Sequence, residues 1–480
     1  MSQIVKSSTS SPQTSSPGLQ TEQNMKKIIK WSIAIAVPLL IVLIPTTESF
    51  TPQIKWFFAL TFWAVYSMAT EIISSNFAAA ILPVLYVLFN VAQPAQAFSP
   101  WTSTVIWTSF GGIIIASILM TSGLARRIAY FAILKTGGSF TGILIGIMIA
   151  GVVINPFVPS VMGKMAMIVP IAIAICDTLD LKPKTRGATA VMMAAFLSIA
   201  TPRLGYLTGD GGIPMLMGIV ANITQQPVTW TQYAFHNLFF SLFFSAVSIA
   251  LVIIFLKPEK RIEGKEVIRK KYEELGEITS SEKKVVVLLI AAIIALITDS
   301  IHKIDAAWIF MFVGLICFLP GVELMNEERL GKLNYKILLF VAGCMSIGTV
   351  ATACGAGKWM ANILFPFLAG SPLYTTVATW FFGVAVNFCL TPMAAIASFT
   401  APITEVCIEA GINPLPVIYA YLQGLDQYIL PYEFAGLLFV YSYGYMSMKN
   451  MIKVIGPRLI LSGVFIALVA YPYWKFIGLY

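Results

Sequence analysis

The sequence predicts an all-α polytopic membrane protein. Three observations carry that prediction: an apolar content too large for a soluble core, repeated apolar runs of membrane-crossing length, and basic charge gathered on one side of them. Of the 480 residues, 58% are apolar and 11% are charged, against about 25% charged in soluble domains. A water-soluble chain of this length would divide into domains with polar surfaces. Here apolar runs recur from Trp31 to Trp474, and most are about long enough to cross roughly 30 Å of hydrocarbon as a helix.

Residues 1–25 are rich in Ser, Thr, Gln and Pro and lack an apolar core with a small-residue cleavage site. They read as a disordered cytoplasmic tail rather than a signal peptide, so the first transmembrane helix, within 26–50, is expected to be retained. Spans follow at 28–46, 53–70, 76–93, 104–122, 187–222, 234–256, 284–300, 305–320, 335–352, 414–447 and 456–477, eleven crossings in all. Two further apolar stretches, 140–175 and 371–409, are too long for one span and carry Asn155-Pro156 and Thr391-Pro392 at their centres. Each reads as a re-entrant hairpin, a form tolerated at membrane depth only where its tip is buried in protein or lines a wet cavity.

The net charge of +9 invites a nucleic-acid reading, but its distribution follows membrane topology. Of the 31 Lys and Arg residues, 25 fall on the side of the N-terminal tail, Lys449, Lys453 and Arg458 among them. Only Lys55, Lys303, Lys358 and Lys475 fall on the other. That asymmetry places the N-terminus in the cytoplasm and the C-terminus outside, with the cell (inner) membrane as the expected location and the lipid bilayer, not nucleic acid, as the partner of the basic loops. Cys176, Cys317, Cys344, Cys354, Cys389 and Cys407 show no CxxC or Cys/His pattern, so no metal or cofactor is expected. Trp101, Trp107, Trp230, Trp359, Trp380 and Trp474 are expected in the headgroup belts.

The charged linker 257–283 divides the membrane part into two repeats, 51–256 with hairpin 140–175 and 284–480 with hairpin 371–409. After the first helix each half has five spans, a short amphipathic piece (Leu124 to Lys135; Gly357 to Leu368), a hairpin and a broken span. An odd number of spans inverts the second copy. Inverted repeats with interrupted helices meeting near the midplane are the architecture of secondary transporters.

Several stretches then resemble one family, the divalent anion:sodium symporters. They are "TEIISSNFAAAILPVLYVLFNVAQPAQAF", "FGGIIIASILMTSGLARRIA", "LNYKILLFVAGCMSIGTVATACGAGKWMA" and "YSYGYMSMKNMIK". The likeness covers about Pro52 to Tyr480. It implies a scaffold domain, a transport domain that moves as an elevator, a homodimer, and dicarboxylate-like anions as substrates, carried by symport or exchange. It also exposes departures. Ten residues before Pro170 and Pro402, where the family has Ser-Asn-Thr motifs for sodium and carboxylate, this chain has Ser160-Val161-Met162 and Pro392-Met393-Ala394. At the broken spans, "LGYLTGDGGIPM" (204–215) and "ILPYEFAGL" (429–437) lack the family's asparagines, with Met215 and Glu433 in their place.

Ionisable residues stand in the same neighbourhood: Lys164, Arg203, Asp210, Asp426 and Glu433. Each such charge at membrane depth costs about 2.5 kcal/mol or more, so several together point to function. The substrate-binding set is therefore Ser160, Lys164, Thr208, Thr391 and Met393, with Arg203, Asp210, Asp426 and Glu433 as coupling or counter-ion groups. In this scheme a fixed cation, Lys164 or Arg203, replaces sodium, and transport runs by exchange, independent of sodium. The structural alternatives are an ion pair of Lys164 with Asp210 or Asp426, and a polar seam of Asp426 with Gln423 and Gln427. A membrane enzyme is excluded because no nucleophile, base or metal constellation appears. A channel fits less well, because polarity concentrates at two tips and two breaks rather than along continuous stripes.

Overall fold

The computed structural model describes residues 17–70, 72–258 and 264–480. Residues 1–16 of the expected tail and 259–263 of the linker lie outside the described residues. The rest of the expected tail, 17–25, is helical: Pro17 stands at the first helical position, and Leu19, Gln20, Glu22, Gln23 and Met25 outnumber the weaker formers Gly18, Thr21 and Asn24.

The architecture is all-α. The principal helices are α1 Pro17–Leu43, α2 Pro52–Thr70, α3 Ser75–Leu88, α4 Thr104–Ser122, α5 Leu124–Lys135, α6 Phe140–Ile154, α7 Val161–Thr178, α8 Arg186–Ala200, α9 Gly212–Thr224 and α10 Trp230–Phe255. They continue with α11 Lys265–Glu273, α12 Ser280–Ile297, α13 Ala306–Ile316, α14 Lys336–Cys354, α15 Ala356–Leu368, α16 Pro372–Asn387, α17 Pro392–Glu409, α18 Pro414–Leu425, α19 Ala435–Ser442 and α20 Met448–Phe476. Among the described residues, seven helical stretches are long and apolar enough to cross a membrane, and three shorter apolar helices accompany them. The stretches 187–222 and 414–447 are each two helices, α8 with α9 and α18 with α19, interrupted at 201–211 and 426–434.

The two halves use matching local devices. Gly123 joins α4 to α5 at φ 82°, and Gly355 joins α14 to α15 at φ 81°, a left-handed conformation open to glycine without a Cβ penalty. Ser139 and Ser160 cap α6 and α7, and Ser371 and Thr391 cap α16 and α17, each side-chain oxygen accepting a backbone N–H of the first turn. Pro372, Pro392 and Pro414 sit in the first turn of their helices, where a missing N–H costs nothing.

Packing sorts the apolar interior into two clusters. One holds α5 to α8 with α12 and the start of α20; the other holds α2, α3, α9 and α14 to α18. The chain changes cluster at both breaks, in opposite senses: Ala200 belongs to the first and Ile213 to the second, whereas Leu425 belongs to the second and Leu437 to the first. Helices α10 and α20 pass between the clusters as well, and their buried polar residues Ser241, Ser245, Ser248, Arg458 and Ser462 lie where they do so. A polar layer thus separates two apolar ones.

Two side-chain expectations are corrected here. Trp230, Trp380 and Trp474 are at most 7% exposed. Their indole N–H groups bond Thr208 Oγ1, Ser462 Oγ and the His236 carbonyl inside the bundle rather than anchoring it at an interface. Arg458 is buried in α20 and is not a loop cation. It lies nine residues beyond Lys449, about 13 Å further along the helix at about 1.5 Å per residue.

Close helix contacts rely on small residues, as membrane bundles do. A Cβ on Gly151 of α6 would sit 2.1 Å from the Ser198 carbonyl oxygen of α8, and one on Gly424 of α18 would sit 2.2 Å from the Trp380 carbonyl oxygen of α16. Gly456 of α20 faces open space. Gly151→Ala and Gly424→Ala are therefore expected to lower the thermal midpoint of the detergent-purified protein, each by the equivalent of about 1–3 kcal/mol. Gly456→Ala should leave it unchanged or raise it slightly. Equal behaviour of the three variants would contradict this packing.

Candidate functional site

Backbone breaks create the site. The tip between α6 and α7 (155–160) meets the break between α8 and α9, and α17, which follows the tip at 388–391, packs on α9 from the other half. Around them lies a cavity of about 660 Å³. Its wall contains the first residues of four helices: Val161 of α7, Gly212 of α9, Pro392 of α17 and Ala435 of α19. Each helix N-terminus presents unpaired N–H groups and the positive end of a dipole. Four of them border one cavity, an arrangement whose dipoles favour negative charge there, with one N–H each of α7, α9 and α17 already bonded by Ser160, Asp210 and Thr391 respectively.

Ser160, Arg203, Asp210, Thr391 and Met393 all line this cavity. Ser160 Oγ accepts the Gly163 N–H at 3.1 Å, so it holds the start of α7 in place while facing the cavity. Thr391 does the same for α17 through Ala394 N–H. Met393 faces Gly212, with its sulfur 2.9 Å from where a Cβ would stand, and closes the gap between the halves with apolar bulk.

The other four candidates stand behind the wall. Lys164 is fully buried; its Nζ donates to Asn155 Oδ1 at 2.6 Å and to the Gly209 carbonyl, stitching the first tip to the first break. It forms no direct ion pair with Asp210 or Asp426 among the described contacts. Thr208 is also a stitch: its Oγ1 donates to the Pro156 carbonyl at 2.7 Å and accepts the Trp230 N–H at 3.1 Å. Glu433 is 2% exposed and turns both carboxylate oxygens onto the N–H groups of Ile429 and Leu430, each at 3.0 Å. It fixes the second break between Tyr432 and Phe434, which both line the cavity.

Asp426 anchors the polar layer. Its Oδ1 receives Arg203 Nη2 at 2.9 Å and the Tyr428 hydroxyl at 2.7 Å, and its Oδ2 receives Arg458 Nη2 at 2.7 Å. Arg458 also donates to Ser248 Oγ, Thr201 Oγ1, Gln427 Oε1 and the Asp426 carbonyl. The seam of Asp426 with Gln427 thus exists, with a cation at its centre. Arg203 completes the chain by pairing through Nη1 with Asp210 at the cavity wall. Arg203, Asp426 and Arg458 join both breaks, α10 and α20 in a single buried unit.

Sequence reading missed Arg458, Tyr428 and Asn155 as members of this assembly. Arg458 had a usable signal: it follows Pro457 and precedes an apolar run, one helical stretch deeper than Lys449 and Lys453.

An all-helical membrane bundle with interrupted helices converging on a cavity is the form of a secondary transporter. Comparison with known proteins identifies the group. The family model described as "Sodium:sulfate symporter transmembrane region" matches residues 25–480, and the chain belongs to that family. It is a membrane transporter rather than an enzyme. A membrane protein of Cupriavidus necator is 23% identical over 94% of each chain. The sodium-dependent dicarboxylate transporter SdcS of Staphylococcus aureus is 24% identical over 86% of this chain and 84% of its own. Among solved structures, the YdaH transporter of Alcanivorax borkumensis shares the fold with a TM-score of 0.52 at 11% identity, over 95% of this chain and 98% of that one.

Removing one partner of a buried ion pair leaves an uncompensated charge and costs about 3–5 kcal/mol. Asp426→Asn leaves Arg203 and Arg458 short of a shared carboxylate. A large loss of monodisperse protein and a lowered thermal midpoint are the expected result, measured in mild detergent; an unchanged midpoint would show that the pairing contributes nothing.

Proposed function

We propose that this protein carries small organic anions, dicarboxylates foremost, across the cell membrane by a sodium-independent exchange mechanism. The observation that carries the reading is the convergence of four helix N-termini and Arg203 on one cavity. A cavity of this size lies within the roughly 300–1,000 Å³ usual for small-molecule sites. The dicarboxylate substrate of SdcS, a full-length relative, adds to it.

Sodium independence rests on substitution of chemistry. Where relatives of the resembled kind carry neutral oxygen ligands, this chain places the Lys164 ammonium on Asn155 Oδ1 and the Gly209 carbonyl, two oxygens suited to a monovalent cation. An ammonium held by the chain cannot be released with the substrate, so no cation gradient is available through it. Exchange against a second anion then supplies the driving force. An elevator movement of the hairpin-bearing part, against a scaffold and within a homodimer, is the accompanying proposal. With the N-terminus cytoplasmic, the cavity mouth beside Lys30, whose Nζ reaches the Thr70 carbonyl, opens inward.

One observation favours proton coupling as a second reading. Arg203 is already paired with Asp210 at the cavity wall and with Asp426 behind it, so its charge alone does not bar return of the empty carrier. Proteoliposomes separate the two. Exchange predicts succinate uptake into succinate-loaded vesicles without any sodium gradient, and little into vesicles free of internal anion. Uptake into anion-free vesicles driven by external acid would favour proton coupling. Uptake that requires a sodium gradient and ignores internal anion would overturn both.

A further inference from the structure

Asp210 holds a position that nothing in the fold demands of a carboxylate. Its Oδ2 pairs with Arg203 Nη1, and its Oδ1 accepts the Gly212 N–H at 2.6 Å, at the first residue of α9. A guanidinium and a helix N-terminus are the two kinds of donor that capture a free carboxylate. We propose that Asp210 is a tethered stand-in for the substrate's own carboxylate: it fills an anion subsite in the empty carrier and is displaced from Arg203 by the incoming anion. This rests on the anion-transport reading and names the subsite within it.

Exposure separates Asp210 from the other carboxylate on Arg203. The Asp426 side chain is wholly buried, whereas that of Asp210 is 13% exposed and lines the cavity. The two arms of Arg203 divide accordingly. Nη2 is held by Asp426 and Tyr428 behind the wall, while Nη1 carries Asp210 alone. Loss of Asp210 from Nη1 therefore leaves the guanidinium oriented by Nη2 and open to another anion. Its buried Nε makes no hydrogen bond, so the group has donor capacity to spare.

The backbone around Asp210 suits a carboxylate that moves aside. Gly209 and Gly211 flank it, and a Cβ on Gly211 would meet nothing closer than 3.6 Å. The freedom lies on the Gly211 side, since Gly209 packs against the Arg203 backbone and its carbonyl is held by Lys164. Displacement keeps a carboxylate on the arginine, while the freed Asp210 carboxylate stays at the cavity wall.

The test is anion binding to the full-length purified protein, with succinate and inorganic sulfate as separate probes. In Asp210→Asn the neutral amide has one acceptor oxygen for two donors, Arg203 Nη1 and the Gly212 N–H, and no charge, so its hold on the subsite is weakened. D210N, and D210A as a second variant, are expected to bind at least one probe about tenfold more tightly than wild type. Asp210→Glu, which keeps the charge, should stay near wild type. A general electrostatic effect would survive removal of the arginine; displacement would not. The gain of D210N should therefore vanish when compared within an Arg203→Gln background. Monodisperse D210N and D210A that bind neither probe more tightly than wild type would overturn the proposal, as would a gain undiminished beside R203Q. Sulfate bound by D210N, with succinate bound by no variant, would uphold the Asp210 subsite and end the dicarboxylate reading. Binding of neither probe to any variant would end both.

Discussion

Asp426 is held between two guanidinium groups in the interior of the bundle, with Arg203 on one oxygen and Arg458 on the other. These three side chains link four segments: both interrupted spans, α20, and α10 through Ser248. Buried ion pairs rarely add net stability over apolar packing, and their worth lies in fixing one arrangement against alternatives. Here the arrangement fixed is that of two breaks in the backbone. Helix interruption frees N–H and carbonyl groups that must be satisfied inside the protein. Lys164, Glu433, Thr208 and Asn155 each take that part, on Gly209, on Ile429 and Leu430, on Pro156, and on Gly151 and Ser198.

The cavity is the other face of the same construction. Once the breaks and tips are pinned from behind, four helix N-termini are left facing a common space, and a positive potential follows from backbone dipoles without further charges. Arg203 is the one member of the ion cluster that reaches from the buried layer to the cavity wall, and Asp210 is its partner there. The structural role and the proposed binding role therefore meet in a single guanidinium, divided between its two arms.

How much of this could be read from the sequence depended on whether the signal was local. The junctions at Gly123 and Gly355 and the cap residues Ser160 and Thr391 are written in single residues with known backbone preferences, and so are the prolines that open α16, α17 and α18. Charges inside apolar runs were equally plain, which is why Lys164, Arg203, Asp210, Asp426 and Glu433 were recognisable. Their partners were not. Lys164 reads from the sequence as a substrate contact, or else as the partner of Asp210 or Asp426; it bonds an amide and a carbonyl instead, because the tip at Asn155 and the loop at Gly209 come together through packing of α6 on α8. Arg458 was assigned to a loop because side was inferred from neighbouring lysines, and depth within the last apolar run was not weighed. Burial of Trp230, Trp380 and Trp474 likewise follows from which helix face meets a neighbour, a property that hydropathy along the chain does not carry.

The most direct test of the account is an experimental structure of the purified protein with succinate bound in sodium-free buffer. The account predicts density for the anion in the cavity between the starts of α7 and α17, with a carboxylate at about 3 Å from Arg203 Nη1 and the Asp426 pairings to Arg203 and Arg458 intact. An anion bound elsewhere, or a bound state in which Asp426 has parted from either arginine, would contradict it.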